Sequence, residues 1–147
     1  MVRRIPGPER LAALVTRVTG ALLGISFRPA GDEEAGGPVD GCRAAALTLD
    51  PDQPLIVTLV TDRTGGQALG AAMYCCPIEA VNPAMVDEAL FEVLHAAANQ
   101  IRCALDYEEP MAPPRIVDPE QVTRRRGAGA SVALRSDPMR LRLAIVT

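Results

Sequence analysis

The chain is poor in several residue types that particular kinds of function require. Aromatic residues make up 3% of its 147 residues and tryptophan is absent, so it lacks the stacking side chains that single-stranded nucleic-acid sites use. Lysine is also absent, and all 15 basic residues are arginines. This absence excludes Schiff-base lysine chemistry and a P-loop lysine within the chain.

Strong charge and long hydrophobic runs are missing as well. The formal net charge is -3 and the pI is about 5.2, which gives no electrostatic reason to bind DNA, RNA or an anionic membrane. No apolar run approaches the roughly 18 residues of a membrane span, and the first ten residues lack the apolar region of a signal peptide. We therefore expect a cytoplasmic protein that binds neither nucleic acid nor a membrane.

The four cysteines follow no recognisable metal or disulfide spacing. Cys42, Cys75, Cys76 and Cys103 form neither a Cys-x-x-Cys pair nor a disulfide framework. Because a free cysteine behaves as a small hydrophobic residue, we predict that these thiols are free and buried.

Aliphatic residues, by contrast, are abundant. The hydrophobic fraction of 48% is enough for one domain, residues 1–147, with its own core. Apolar spacing predicts a helix from Pro8 to Leu23 that Gly24 closes. A short strand over residues 25–28 and a β-hairpin with strands at 41–50 and 54–60 follow.

The second half of the chain alternates between helical and strand patterns. We predict a short helix over residues 65–74, a long helix over 82–106, a short strand over 115–117, and a hairpin that pairs 130–134 with the terminal strand. In that last strand Leu141, Leu143 and Ile145 alternate with Arg140 and Arg142, as in a half-buried strand. This order of elements predicts an α+β fold with helices on one face of a sheet.

The long helix carries most of its strongly polar side chains in one narrow line. At about 100° per residue, these side chains point within roughly 40° of one direction. His95, the one histidine of the chain, follows Glu92 by one helical turn. We call this line the polar ridge; its residues are Glu88, Glu92, His95, Asn99, Arg102 and Asp106.

The flanks of the polar ridge are apolar, at Ala89, Phe91, Ala96 and Ala98. Small residues beside a polar line let another surface come close, so we expect an accessible docking face there. A plain solvated face is the common alternative. A metal site is a third possibility, because Glu-x-x-His is half of the carboxylate di-metal pattern, but the chain has no second histidine and we expect no bound metal.

The same helix resembles the signature of a known family. Glu88, Glu92 and His95 are followed by three alanines and then by Arg102, and this segment resembles the [DS]-x-x-x-E-x-x-N helix of the CheC/CheX phosphatases of bacterial chemotaxis. The single-domain CheX-like members are the most similar. Upstream VTGALLGISFRP and downstream PPRIV resemble that family's first helix and its proline-led strand, so the resemblance covers nearly the whole chain.

The resemblance implies a fold, a partner and a reaction. The fold is a CheC-like two-layer α+β fold with a mixed, largely antiparallel sheet. The long helix docks onto a phosphorylated response regulator of the CheY type and hastens hydrolysis of its aspartyl phosphate. Glu92 takes the place of the acid that contacts a regulator lysine, while Glu88, Asn99 and Arg102 contact the partner. The chain then needs no cofactor of its own, because the Mg²⁺ belongs to the regulator.

His95 stands where the family has the asparagine that positions the attacking water. An asparagine side chain both donates and accepts in one plane, whereas imidazole is bulkier and only donates when protonated. Asn99 lies about 6 Å further along the helix axis, too far to hold the same water. Two functions stay open: a phosphatase that uses Glu92 and His95, and a CheX-fold binding module that recognises a regulator or another signalling protein without hydrolysis.

The alternating terminal strand also bears on assembly. A strand with unpaired backbone groups at a sheet edge can continue the sheet into a second subunit. CheX-like proteins form sheet-mediated dimers, and the resemblance implies the same for this chain. We therefore predict a homodimer that forms through the edge of the sheet.

Overall fold

The apolar periodicities of the sequence assemble into a sheet covered by helices on one face. A computed structural model describes residues 6–29, 42–50, 55–105, 111–120, 131–136 and 139–146. Over this part of the chain the helices are α1 (Pro8–Leu23), α2 (Arg63–Tyr74) and α3 (Pro83–Ala104), with a 3₁₀ turn at Ile78–Ala80. The strands are β1 (Arg28–Pro29), β2 (Arg43–Asp50), β3 (Leu55–Thr61), β4 (Arg115–Val117), β5 (Ser131–Ser136) and β6 (Met139–Val146).

The described strands form one six-stranded sheet in the order β1-β5-β6-β3-β2-β4. Every described pair of neighbouring strands is antiparallel. The sequence predicted a mixed, largely antiparallel sheet, and no parallel pair occurs among the described strands. Both predicted hairpins are confirmed, since β2 pairs with β3 and β5 pairs with β6. The predicted α+β class, with helices packed on a largely antiparallel sheet, is confirmed as well.

The position of β6 corrects the prediction that the terminal strand lies at a sheet edge. β6 pairs with β3 on one side and with β5 on the other, so it is an inner strand. The described edges are β1 and β4 instead, with two and three residues. Short edge strands expose few unpaired backbone groups and so discourage edge-to-edge pairing.

The hydrophobic core lies between the helices and one face of the sheet. Period-two alternation in the strands and helical spacing in α1 and α3 send the largest aliphatic side chains to this layer. The predicted strand over residues 25–28 is largely wrong, because residues 25–27 belong to no strand and β1 begins only at Arg28. Phe27 in this segment is buried in the core. Fully buried large side chains include Leu11, Leu47, Leu59, Leu69, Leu90, Leu94, Ile101, Leu134, Leu141, Leu143 and Ile145.

Helix α2 packs very closely because its contact face is made of glycine. A Cβ on Gly66 would lie 2.9 Å from Cγ1 of Val86, and a Cβ on Gly70 would lie 2.8 Å from Cγ1 of Val81. Both distances are well inside ordinary contact, so no larger side chain fits without movement. The glycines thus let α2 rest directly against the start of α3 and help to set where that helix begins.

No described helix is both long enough and apolar enough to cross a lipid bilayer.

Candidate functional site

Helix α3 starts as its sequence predicts. The side chain of Asn82 accepts a hydrogen bond from the backbone N–H of Met85 at 3.0 Å, and Pro83 occupies the first helical position, where its missing N–H costs nothing. The helix runs to Ala104, with Leu105 as its C-cap. Residues 83–104 are therefore one continuous helix, and Asp106 lies outside the described residues.

The polar ridge faces away from the core. Glu88, Glu92 and His95 are exposed, while Asn99 and Arg102 are half-buried. The buried residues of α3 occupy the opposite side and include Leu90, Val93, Leu94, Ala97 and Ile101. The structure thus brings the Glu92 and His95 side chains onto the same open helix face, one turn apart.

The flanks of the polar ridge differ from the prediction. Ala89 and Ala98 are fully buried, and Phe91 and Ala96 are half-buried. The reason is that α3 contacts β2, α1 and α2 together, so its buried face spans about half of the helix circumference, from Ala89 to Ala98. These alanines serve helix–sheet packing, so the open face beside the polar ridge is narrower than the sequence predicted.

The far end of the polar ridge is held by an internal hydrogen bond. A guanidinium N–H of Arg102 donates to Oδ1 of Asn99 at 3.0 Å. The amide oxygen of Asn99 therefore already accepts one hydrogen bond, and its NH₂ group can still donate to another partner. Asn99 also lies one turn further along the helix than His95, and the expectation that it does not replace the missing asparagine rests on this separation.

An ion pair that the sequence does not predict lies beside the polar ridge. Arg43, the first residue of β2, donates from Nε to Oδ1 of Asp87 at 2.6 Å and from Nη2 to Oδ2 at 2.8 Å. Two parallel bonds of this kind are a strong and directional form of carboxylate pairing. The hydrogen bonds that Arg43 donates to Asp87 raise the pKa of Arg43 further above its ordinary high value. Forty-four positions separate the partners, so no local pattern could have paired them.

The cysteines are free, as predicted, but they are not buried. Cys75 and Cys103 are exposed, and Cys42 and Cys76 are half-buried. Cys42 directly precedes β2, Cys75 and Cys76 directly follow α2, and Cys103 lies in the last turn of α3. These element ends lie outside the hydrophobic core. In the described part of the chain, no group of three or more His, Cys, Asp or Glu side chains is arranged to hold a metal ion.

Neither a protein-family model nor a curated protein sequence matches this chain. Solved structures do. The chemotaxis protein CheX from Vibrio vulnificus is similar with a TM-score of 0.66 and 12% identity, over 92% of each chain. CheX in a CheX–CheY–BeF3–Mg²⁺ complex from Borrelia burgdorferi is similar with a TM-score of 0.66 and 13% identity, over 97% of this chain and 98% of that one. A CheC-like protein from Shewanella sp. PV-4 has a TM-score of 0.62 and 12% identity, over 92% and 93%.

These likenesses extend over nearly the full length of both partners and include the long helix that carries the polar ridge. Identities of 12–13% leave the individual residues of the site to be argued from their own geometry. The chain has the fold of the CheX and CheC-like chemotaxis proteins, as the resemblance of its long helix implied.

Proposed function

We propose that this protein is a cytoplasmic signalling protein whose α3 docks onto a phosphorylated response regulator of the CheY type. One observation carries the proposal: Glu92 and His95 stand one turn apart on the open face of α3, in a fold shared with a CheX whose complex with CheY is known. A regulator's active centre is a recess that holds a phosphoryl group, and a protruding helix face with polar side chains can reach into it.

The charges along the polar ridge suggest how such a partner lies. The N-terminal half offers carboxylates at Glu88 and Glu92, whereas the C-terminal half offers donors from Asn99 and Arg102. A partner surface that presents a cation to the first half and acceptors to the second would be complementary. In a CheY-type partner, Glu92 would receive the active-site lysine.

Hydrolysis of the aspartyl phosphate is the finer part of the proposal. A neutral imidazole at His95 can accept a hydrogen bond from a water molecule and take its proton as the water attacks phosphorus. The phosphate then leaves the regulator's aspartate as inorganic phosphate. The Mg²⁺ that neutralises charge on the phosphoryl group would be the regulator's own, so this chain supplies only Glu92 and His95.

A second candidate is a binding module that recognises the regulator without hydrolysing it. The observation in its favour is the hydrogen bond from Arg102 to Asn99. It partly occupies the one side-chain amide oxygen on the described part of the polar ridge, in a chain whose His95 stands where the family has its asparagine. Docking would then protect or sequester the regulator instead of resetting it.

The test measures the lifetime of the phosphoryl group on CheY-type receiver domains from the same genome, after phosphorylation with acetyl phosphate and Mg²⁺. A phosphatase shortens the lifetime in proportion to its concentration. The His95→Ala variant should then hydrolyse the aspartyl phosphate roughly 100-fold more slowly than the unmodified chain. The Glu92→Gln variant should bind the regulator more weakly. Gln100→Ala, an exposed position of α3 away from the ridge, is the matched control and should change nothing.

His95→Asn separates the two candidates. A gain of activity indicates a binding module whose site has lost its asparagine, and a loss indicates that the histidine performs the reaction. Binding of the unmodified chain with an unchanged phosphoryl lifetime would select the binding module. If no receiver domain binds through α3, both candidates are wrong.

A further inference from the structure

Two consecutive cysteines end helix α2, and the proposed function uses neither of them. Cys75 is exposed and Cys76 is half-buried, and both are free thiols. Cys42 and Cys103 have no cysteine next to them in the chain. Two neighbouring thiols can bind one ligand at the same time, which single thiols cannot do.

The backbone at this pair is unusual. Cys75 has φ 51° and ψ 48°, and it is the one non-glycine residue with positive φ in the part of the chain that the structure describes. The corresponding C-cap of α1 is Gly24, with φ 67°, which is the residue type that this conformation favours. The chain thus keeps a thiol where glycine would be relaxed, and strain of this kind is a reason to look for function.

The same backbone is firmly held. The N–H group of Cys76 donates to the carbonyl oxygen of Ala71 at 3.1 Å. One turn earlier, Gly70 packs against Val81 in the segment that leads into α3. The backbone that carries the pair is therefore fixed, and a ligand that spans both sulfurs requires only side-chain rotation, in which Cys75 Sγ gives up its weak 3.9 Å contact with the carbonyl oxygen of Ala72.

We propose that Cys75 and Cys76 form a dithiol site for thiophilic trivalent arsenic compounds. Soft thiolate ligands prefer soft centres, and trivalent arsenic in an R–As=O compound takes two sulfurs at once. Two As–S bonds form and both S–H bonds break, while the oxygen leaves as water with the two thiol protons. Arsenic stays trivalent and the sulfurs are not oxidised, so no other reactant is needed.

Phenylarsine oxide is the probe for the test, applied to the whole folded chain with a phosphine reductant present. Intact-mass measurement should show one phenylarsenic group per chain, and a thiol titration should show two thiols lost. Cys75→Ser and Cys76→Ser each leave one sulfur, and each should lower the affinity by roughly 100-fold because the second bond is no longer intramolecular. The Cys42→Ser/Cys103→Ser double variant should bind like the unmodified chain.

Cys75→Gly guards against a folding artefact, because it removes the thiol while relaxing the backbone. It should fold and should lose binding as Cys75→Ser does. Retained binding in Cys75→Gly or Cys76→Ser would overturn the proposal, as would loss of binding in the Cys42→Ser/Cys103→Ser variant. Absence of any uptake by the unmodified chain would overturn it too.

Discussion

Gly65 is the residue at which one added carbon should do the most harm. A Cβ there would collide with the hydroxyl of Thr61, and it would lie 2.8 Å from Oδ1 of Asp62 and 3.2 Å from the carbonyl oxygen of Arg140. Asp62 already caps α2 by accepting from the Gly65 N–H at 2.7 Å, so none of these groups can withdraw freely. We predict that Gly65→Ala lowers the free energy of unfolding by about 2 kcal/mol.

Gly20→Ala is the matched control for that measurement. Gly20 lies inside α1, and a Cβ there would meet nothing within 4 Å. Alanine lowers the entropy of the unfolded chain, so this variant should gain roughly 0.5–1 kcal/mol. Urea unfolding of both variants checks the pair, and equal effects at the two positions would contradict the packing of α2.

The left-handed conformation of Cys75 leads to a prediction about stability. A non-glycine residue in this region loses about 1 kcal/mol relative to glycine, so Cys75→Gly should raise the free energy of unfolding by that amount. Cys75→Ala keeps the Cβ that causes the strain and should show no such gain. Thermal and urea unfolding of the two variants decide it; a loss of stability in Cys75→Gly would mean that the thiol itself contributes to packing.

At the scale of the elements, the ion pair between β2 and α3 has a modest but directional effect. The side chains of Arg43 and Asp87 are 42% and 22% exposed, so water screens much of their attraction. We predict that Asp87→Asn lowers the free energy of unfolding by roughly 0.5–1 kcal/mol. Glu88→Gln removes the neighbouring exposed carboxylate, which forms no ion pair within the described residues, and serves as the control.

The pH dependence of this pair follows from the direction of the Arg43 shift. A base whose pKa is raised on folding contributes stability below its unfolded pKa, and the contribution is lost as the pH rises through the folded value. Both values lie far above neutrality. The part of the Asp87→Asn effect that depends on Arg43 should therefore stay constant between about pH 6 and pH 9, and a marked change of the urea midpoint difference over that range would contradict this assignment.

Local signals identified the elements well because they act within one helical turn or one strand. The cap at Asn82, the proline at Pro83 and the alternation in β6 were all visible in the sequence and are confirmed. The sequence could not predict the order in which the strands lie side by side in the sheet. Alternation tells which face a residue takes but not which strand lies beside it, so β6 was expected at an edge although it lies inside the sheet.

In the candidate site too, local features were predictable from the sequence and contacts between distant elements were not. Spacing alone predicted that Glu92 and His95 share an exposed helix face, and they do. Spacing could not reveal that α1, α2 and β2 all pack on α3, so Ala89 and Ala98 were expected beside an open surface although they are core residues. The partner of Asp87 was hidden for the same reason, since Arg43 lies on a distant strand.

At the scale of the whole molecule, the homodimer stays a prediction. It was predicted from a terminal strand at the sheet edge, and that strand, β6, lies inside the sheet. If the sheet continues into a second copy, it does so through β1 or β4 among the described strands, and these are two and three residues long. Light scattering across a concentration series checks the assembly. A dimer has twice the 15.6 kDa mass of the chain, and a molar mass that stays at the single-chain value at every concentration would contradict it.

The inner position of β6 has a consequence for how the protein is made. The strands β2, β3 and β4 form one half of the sheet, β1 and β5 form the other, and β6 is the strand that joins them. A ribosome must therefore release residues 139–146 before the two halves can close into one structure. Chains that lack residues 139–146 would leave β3 and β5 without the strand between them, so their aliphatic side chains would be open to proteases and to chaperones.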